Sequence, residues 1–329
     1  MNFAVRRLVL PGAILGAILF GLSAGHDWAG PADLLRAAGG DESIRSRLLV
    51  TWRLPRVLAA GFVGALLGLG GAIFQGVFRN PLAEPYLLGS AGGAAIGATV
   101  ALLVPLGLPA GPVLAALAFL GAWGATALVL GIGRLAGAID AAGLLLAGVA
   151  VAAMLGAIRS FLMLALSDET VSLQVVLSWT LGGIQTPDGT GLALLAALTL
   201  ASLSLSLGLA RGLDLIGLGE DVAHGFGLDP ARFTRRAVLV GAVVVAVAVA
   251  YGGLVAFVGL IAPHVARWWF GPRHASLLPA SAAIGAILVL VCDGLARAVL
   301  PPAEIPLGLI TAVAGGPFFL FILARRLRA

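Results

Sequence analysis

The chain has 329 residues, of which 60% are hydrophobic and only 11% are charged. A soluble domain carries roughly a quarter charged residues, so this composition excludes a soluble globular protein. The formal net charge is +5, and all 20 basic residues are arginine. A chain without lysine can form neither a phosphate-binding P-loop nor a Schiff base, so any ATP hydrolysis must come from a partner.

The remaining composition argues against an enzyme. The single cysteine, Cys292, excludes an intrachain disulfide and a cysteine-based zinc cluster. No Ser-His-Asp spacing, no paired carboxylates within one apolar run and no H-E-x-x-H motif occurs in the sequence. Membrane proteins collect arginine on their cytoplasmic loops, so the basic charge does not require nucleic acid. We therefore expect no catalytic residue, no bound metal and no nucleic-acid partner.

Charge-free apolar runs predict where the chain crosses a membrane, because one span needs about 20 apolar residues. The runs are Leu8–Ala24, Val57–Phe78, Tyr86–Gly133, Ala141–Ile158, Thr190–Ala210, Ala237–Pro263, Ala275–Cys292 and Ile305–Ala324. Two runs are too long for one crossing. One is interrupted by prolines and glycines between Pro105 and Pro112, and the other near Gly252 and Gly253. The sequence predicts an all-α polytopic membrane protein with about ten transmembrane helices in one domain, residues 1–329.

Arginine placement predicts the orientation, because short cytoplasmic loops retain positive charge. With the N-terminus inside, most arginines fall on the cytoplasmic side and both termini are cytoplasmic. The exception is the predicted first periplasmic loop, His26–Arg56, which holds five arginines. A cleaved signal peptide that begins at Arg6 and Arg7 is the alternative, but its removal would leave an odd number of spans.

A short cytoplasmic loop follows the Val57–Phe78 span and reads R-N-P-L-A-E-P from Arg79 to Pro85. Its two prolines prevent helix continuation and make the loop stiff. Such a segment can form a constriction at the inner mouth of a pore, and a plain tight turn is the alternative.

The longest predicted cytoplasmic connection is Arg211–Arg236. Its segment Gly219–Gly227 begins with a glycine and two acids, which the helix dipole favours at a helix start, and ends with two glycines typical of a helix end. Asp229 and Pro230 predict the N-cap and first residue of a second short helix. Docking onto another protein is the natural use of two such helices, and a merely solvated loop is the alternative.

Charged residues inside a membrane are costly and usually paired or functional. Asp293 and Arg297 are four residues apart, so one helix face brings them together as an ion pair. Arg159 has no acid within two helical turns until Asp168. We expect Arg159 to face an aqueous cavity or to extend toward the membrane surface.

Glycine pairs four residues apart predict close packing of helix backbones. The pairs are Gly12/Gly16, Gly64/Gly68 and Gly93/Gly97.

Several motifs, taken in order, resemble the FecCD-type permeases of ABC importers for iron chelates, haem and cobalamin. They are R-L-P-R from Arg53, G-A-I-F-Q from Gly71, R-N-P-L-A-E-P from Arg79, F-V-G-L-I-A-P-H from Phe257, Asp293 with Arg297, E-I-P-L-G from Glu304, and G-G-P from Gly315. Their order and spacing extend through nearly the whole chain.

The resemblance implies a type II ABC importer permease in the bacterial inner membrane. In such importers two copies of the ten-helix subunit form a homodimer. Two cytoplasmic ATP-binding subunits hold ATP and Mg, so this chain itself binds no cofactor. A periplasmic binding protein delivers the substrate.

The resemblance also implies roles for individual residues. Arg53, Arg56 and Arg297 match positions that receive acidic residues of the binding protein, and we expect Arg53 and Arg56 to lie at a boundary where charge reversal costs little folding energy. The cytoplasmic gate loop corresponds to Asn80, Pro81, Leu82 and Ala83. The helices that couple to the ATPase correspond to a stretch whose candidate residues are Gly219, Glu220, Asp221, Ala223 and Gly227.

Motifs shared by the whole family do not identify the substrate. Arg159 matches no family-wide position, and we place it on the substrate path, where it favours an anionic iron chelate such as a ferric siderophore or haem over cobalamin. A polytopic membrane enzyme and an ion-coupled carrier are weaker alternatives, because the apolar runs lack catalytic groups and contain few carboxylates.

Overall fold

The computed structural model describes residues 3–135, 141–166 and 170–326. These residues form fourteen α-helices. They are α1 (Phe3–Ser23), α2 (Pro31–Ala38), α3 (Ile44–Leu48), α4 (Leu54–Val77), α5 (Ser90–Leu103), α6 (Ala110–Leu135), α7 (Ala141–Leu166), α8 (Thr170–Thr180), α9 (Gly189–Gly217), α10 (Glu220–Gly225), α11 (Pro230–Gly252), α12 (Val258–Phe270), α13 (His274–Ala298) and α14 (Leu307–Arg326). A π-helical turn, Leu49–Arg53, joins α3 to α4, and a 3₁₀ turn, Pro85–Leu88, precedes α5.

The helices match the predicted spans. Within the described ranges, six helices are long and apolar enough to cross a membrane, namely α4, α6, α7, α9, α11 and α13. Shorter apolar helices lie within α1, α5 and α14, and α12 has 13 residues. The two predicted breaks are confirmed, because α5 ends at Leu103 before α6 begins at Ala110, and α11 ends at Gly252. The chain is a multi-pass all-α membrane protein with about ten spans.

Helix α4 forms the centre of the core and packs against α9, α11, α12 and α13. Its glycines allow these contacts. A Cβ added at Gly64 would lie 2.3 Å from the carbonyl oxygen of Gly285 on α13, and one at Gly68 would lie 2.1 Å from that of Ser281. Backbones can approach this closely only where the side chain is absent. The predicted close packing at Gly64/Gly68 is therefore confirmed.

The other two glycine pairs differ. A Cβ at Gly93 or Gly97 would lie 2.0 Å from a carbonyl oxygen of α6, so this predicted close packing is also confirmed. At Gly12 and Gly16 an added Cβ would meet no described atom within 4 Å. The predicted close packing at that pair is wrong within the described chain.

One predicted helix is absent among the described residues. Asp229 accepts a hydrogen bond from the backbone N–H of Arg232 (3.0 Å) and caps a helix that starts at Pro230, as predicted. That helix is not short, however, because it continues through the membrane span as α11. The prediction of a second short helix is wrong. Asp229 and Pro230 correctly indicate where a helix starts, but this helix and the apolar run from Ala237 form one continuous helix instead of two separate elements.

The helix bundle has two ends, which we name the Asp293 end and the α10 end. The Asp293 end contains the C-termini of α1 and α13 and the N-terminus of α4, which Asp293 and its partners hold together. The α10 end contains the opposite ends of α4 and α13, the loop after α4, and α10 itself.

Candidate functional site

Asp293 lies on α13 with its side chain 1% exposed and contacts two guanidinium groups. Its Oδ2 is 3.0 Å from Nε of Arg297, so the predicted pair on one helix face is confirmed. Its Oδ1 is 3.1 Å from Nη2 of Arg56 on α4. Arg56 also contacts Glu304 at 2.9 Å. One buried carboxylate therefore joins α13 to α4, which the sequence did not predict.

Arg297 is 6% exposed, and its donors are used inside the chain. It donates to the carbonyl oxygens of Ala24 (2.7 Å) and Gly21 (2.8 Å) at the C-terminus of α1. The last carbonyl oxygens of a helix lack intrahelical partners, so a buried cation there satisfies them. Arg297 thus fixes the end of α1 and does not present its charge at the surface.

Arg53 has a similar environment. Its guanidinium donates to the carbonyl oxygens of Leu22 (3.2 Å) and Asp27 (2.7 Å). Together with the two carboxylate contacts of Arg56, these bonds show that neither residue projects freely from the surface. The expectation that charge reversal at Arg53 and Arg56 costs little folding energy is wrong, because both side chains hold helix ends in place.

Two exposed arginines of this end lie on the segment before α4. Arg45 is 3.4 Å from Asp33 and 52% exposed, and Arg47 is 3.2 Å from Glu42 and 67% exposed. Hydrogen bonds from the side chains of Ser43 and Ser46 hold the pKa of Asp41 below its usual value. Sequence reasoning counted Arg45 and Arg47 among the five arginines of this loop but assigned a docking role only to Arg53 and Arg56 of that loop.

The loop after α4 forms a tight turn. Oδ1 of Asn80 accepts a hydrogen bond from the N–H of Leu82 (3.0 Å), which closes an Asx turn. Pro81 and Leu82 are half-buried, and Ala83 is fully buried. Arg79, which opens the loop, has a φ of +49°, a conformation that side chains other than glycine rarely adopt. The four predicted gate residues therefore form one compact turn.

This turn packs against the break between α11 and α12. Oε1 of Glu84 accepts a hydrogen bond from the N–H of Phe257 (2.9 Å), and the hydroxyl of Tyr86 donates to the carbonyl oxygen of Val255 (3.1 Å). Phe257 has a φ of +66°, so non-glycine residues in the left-handed region occur on both sides of this contact. Backbone strain of this kind persists only where the surroundings fix it.

A buried polar chain connects α4 to α12 beside the same turn. Pro263 lacks an N–H, so the carbonyl oxygen of Gly259 has no donor four residues later. Nε2 of Gln75 donates to that oxygen (3.3 Å), and Nη1 of Arg267 donates to Oε1 of Gln75 (2.6 Å). Sequence reasoning missed this role of Gln75, although the proline marked the carbonyl oxygen that needs a partner.

The predicted coupling segment forms one short helix, α10, at Glu220–Gly225. Gly219 precedes it with a φ of +115°, and Gly227 follows it with a φ of +80°. Ala223 is fully buried and anchors α10 to the bundle. Nη2 of Arg79 lies 3.2 Å from Oε1 of Glu220, so an ion pair links α10 to the loop after α4.

Helix α10 and its flanks expose an apolar stripe. Leu218 is 67% exposed, Val222 41% and Phe226 73%. Val222 and Phe226 are spaced four apart on one face of α10, and Leu218 lies at the end of α9, just before Gly219. An exposed apolar face on a short, otherwise polar element is typical of a protein contact. This apolar spacing is visible in the sequence, although the acids and glycines alone were used to predict the helix.

Arg159 on α7 is less isolated than expected. Its Nη2 donates to Oγ1 of Thr180 at the end of α8 (2.9 Å), while its Nε is buried without a partner among the described residues. Asp168, the nearest acid in the sequence, lies outside the described residues. The rest of the chain leaves most of α7 uncovered, since only 6% of its apolar 18-residue stretch is buried. Arg159 therefore lies on a span whose surface is available to lipid or to another protein.

The sequence of this chain is similar to those of known transport proteins. Residues 13–325 match the FecCD transport family. The haemin transport system permease protein of Yersinia pestis is 39% identical over 279 residues, which cover 83% of this chain and 82% of that protein. The cobalamin import system permease protein of Halobacterium salinarum is 38% identical over 84% of this chain and 73% of its own length.

The fold of this chain is also similar to that of a solved structure. An inward-facing conformation of a metal-chelate type ABC transporter superposes with a TM-score of 0.84 at 28% identity, covering 98% of this chain and 99% of the other.

Proposed function

Since the chain belongs to the FecCD transport family, we propose that it is the permease subunit of an ATP-driven importer that takes a bulky iron chelate, a ferric siderophore or haem, into the cytoplasm. The observation that carries the proposal is the family match over residues 13–325. The haemin permease of Yersinia pestis supports the substrate class. The chain is a transport subunit and not an enzyme.

The test is reconstitution of the purified chain in vesicles with and without a cognate ATPase and binding protein. We expect uptake of a ferric siderophore or haem only with ATP, ATPase and binding protein together. Uptake that needs no ATPase would contradict the proposal and would favour an ion-coupled carrier. Chemical modification of a lipid by the chain alone would favour a membrane enzyme.

We place the Asp293 end in the periplasm and the α10 end in the cytoplasm of a bacterial inner membrane. This orientation puts both termini in the cytoplasm and follows the distribution of arginine along the chain. The active assembly contains two copies of this chain, two ATP-binding subunits with ATP and Mg, and one periplasmic binding protein. The largely unburied α7 is suited to contact the second copy.

Docking of the binding protein uses the Asp293 end. Arg53, Arg56 and Arg297 shape this surface by fixing helix ends, and Arg56, whose side chain is 20% exposed, remains within reach of a partner's carboxylate. The exposed Arg45 and Arg47 extend the basic surface. Docking affinity should therefore fall as the salt concentration rises, because exposed charges act through screened attraction.

The cytoplasmic gate consists of Asn80, Pro81, Leu82 and Ala83, and α10 couples it to the ATPase. The exposed Leu218, Val222 and Phe226 suit an apolar cleft of the ATP-binding subunit. Gly219 and Gly227 give α10 its entry and exit angles, Glu220 pairs with Arg79, and Ala223 holds α10 on the bundle. Asp221 completes the acidic first turn.

Arg159 is assigned to the substrate path. Its guanidinium keeps donors beyond the one bound to Thr180, and these suit a carboxylate such as a haem propionate. Arg159→Ala should slow uptake of an anionic chelate, and Arg159→Lys should retain part of the rate because the charge survives. Thr180→Val is the matched control, since it removes the α7–α8 hydrogen bond and keeps the guanidinium. Equal losses in Arg159→Ala and Thr180→Val would indicate a structural role instead.

Cobalamin is the second candidate substrate, favoured by the 38% identity to the cobalamin permease of Halobacterium salinarum. Competition between a ferric chelate and cyanocobalamin for uptake in the same vesicles distinguishes the two substrates.

A further inference from the structure

A groove of about 870 Å³ lies between α6 and α9, with α11 as its floor. Each helix contributes one stripe of residues. The apolar lining consists chiefly of Pro112, Ala115, Ala116, Phe119 and Leu120 of α6, Leu194 and Leu198 of α9, and Val243, Val247 and Ala250 of α11. A helix normally buries such a stripe against another element. Here three stripes face one space that the described chain leaves unfilled.

The groove is apolar along its length and polar at one mouth. Gln185, Asp188 and Tyr251 lie at that mouth, at the Asp293 end. Asp188 caps α9, because its Oδ1 accepts a hydrogen bond from the N–H of Gly191 (2.7 Å). Its second carboxylate oxygen remains an open acceptor. The residues that line the groove include acid but no base.

We propose that this groove binds one membrane phospholipid with an ammonium headgroup, of the phosphatidylethanolamine type. The acyl chain lies along the three apolar stripes, and the ammonium group contacts the carboxylate of Asp188. The proposal is independent of which substrate the chain transports.

Two observations favour a lipid as the occupant. The helices α6, α9 and α11 are all membrane spans, so hydrocarbon surrounds the groove. Its rims remain open, since Leu120 is 56% exposed and Leu194 is 53% exposed. An acyl chain can enter sideways between these rims. A second copy of the chain fits less well, because α7, outside the groove, is the least buried of the six apolar spans, at 6% against 22% for α9.

Charge complementarity selects the headgroup. The Asp188 carboxylate attracts an ammonium group and repels an anionic headgroup that has no amine, and the mouth offers no guanidinium to compensate. A charge-assisted hydrogen bond from an ammonium group to a carboxylate is stronger than a neutral one. Phosphatidylethanolamine should therefore bind in preference to phosphatidylglycerol with the same acyl chains.

The test is native mass spectrometry of the full chain in detergent, mixed with equal amounts of phosphatidylethanolamine and phosphatidylglycerol. We expect the wild type to retain one phosphatidylethanolamine per chain, at least fivefold over phosphatidylglycerol. Ala115→Phe, which projects a ring into the groove from α6, should lower retention about tenfold. Ala197→Phe is the matched control, because Ala197 is exposed on α9 and does not line the groove.

A second variant tests the headgroup. Asp188→Asn keeps an N-cap side chain for α9 while it removes the charge. It should still retain lipid but lose the preference between the two headgroups.

Three results would overturn the proposal. The first is equal lipid retention by the wild type and Ala115→Phe. The second is an equal preference for phosphatidylethanolamine in the wild type and Asp188→Asn. The third is a fall in the dimer fraction, without a change in bound lipid, when Ala115 is replaced. If Ala115→Phe does not fold, Val243→Phe on the groove floor replaces it, with the same expected loss and the same overturning results.

Discussion

At the Asp293 end, a carboxylate that is 1% exposed contacts two guanidinium groups, and a third guanidinium holds backbone carbonyl oxygens of α1 and the turn after it. At the α10 end, α10 is joined to the loop after α4 by a contact of 3.2 Å between Arg79 and Glu220, which are 45% and 59% exposed. The bundle below α10 has its own contact, since Nδ1 of His274 on α13 lies 2.6 Å from Oδ1 of Asp214 on α9. Buried charges are fixed by their partners, because leaving one unpaired is costly. Exposed pairs contribute little to the free energy of unfolding, so loss of the Arg79–Glu220 pair should hardly affect the fold.

The difference suits an importer. The Asp293 end holds three helix termini in one geometry, and under the proposed function this geometry would give a binding protein a constant surface. The α10 end carries a short helix between two glycines with positive φ, and an ion pair joins this helix to the loop after α4. Substitutions should therefore cost most in unfolding free energy at the Asp293 end and affect transport most at the α10 end.

The largest stability effect is expected for Asp293→Asn. The change keeps the size of the side chain but leaves Arg297 and Arg56 without a buried counter-charge. Removing one partner of a buried ion pair costs about 3–5 kcal/mol of unfolding free energy. Thermal or denaturant unfolding of the purified chain in detergent measures this loss.

Glu42→Gln is the control for this loss. Glu42 is 86% exposed and pairs with the exposed Arg47, so its change should stay below about 1 kcal/mol. Equal effects of Asp293→Asn and Glu42→Gln would show that the buried network does not stabilise the Asp293 end.

Local parts of this arrangement could be predicted from the sequence. The helix breaks follow from proline and glycine, and the Asp293–Arg297 pair follows from a spacing of four residues. The contacts between distant segments could not, because nothing local indicates that Arg56 reaches Asp293 or that Arg297 reaches Ala24, 273 residues away. The same limit explains why the sequence predicted a low folding cost for charge reversal at Arg53 and Arg56. Their charge was visible in the sequence, but the helix ends they hold were not.

A smaller stability effect is expected for Gly219→Ala. Gly219 has a φ of +115° and a ψ of +153°, a region that glycine adopts and other residues reach only with strain of about 1–3 kcal/mol. No described atom lies within 4 Å of an added Cβ, so the effect arises from the backbone and not from crowding. Relief of the strain would turn α10 and uncouple ATP hydrolysis from uptake.

Gly225→Ala is the matched control, because Gly225 is helical and its added Cβ also meets no atom within 4 Å. Uptake per ATP hydrolysed, measured in vesicles for both variants, should fall in Gly219→Ala alone. A similar fall in both variants would locate the effect in the surface of α10 and not in its entry angle.

A still smaller stability effect is expected for the Arg79–Glu220 pair. Exposed ion pairs typically contribute about 0.2–1 kcal/mol, so Arg79→Ala and Glu220→Ala should hardly change unfolding. If the pair transmits movement of α10 to the gate, each change should still lower uptake per ATP. The charge-reversed double variant Arg79→Glu with Glu220→Arg should recover part of it. If uptake per ATP does not recover in the double variant, the two residues act separately.

The smallest stability effect belongs to Phe226→Ser, at a side chain that is 73% exposed and packs little against its own chain. Removing an exposed apolar group should leave unfolding unchanged, whereas removing it from the stripe of Leu218, Val222 and Phe226 should weaken the contact with the ATP-binding subunit. Co-purification of that subunit measures the contact. Leu205→Ser, at a residue 57% exposed within the α9 span, is the control that removes a similar apolar area away from α10. If Phe226→Ser co-purifies the subunit at wild-type stoichiometry, the stripe is not the docking face and α10 must couple through its charged first turn instead.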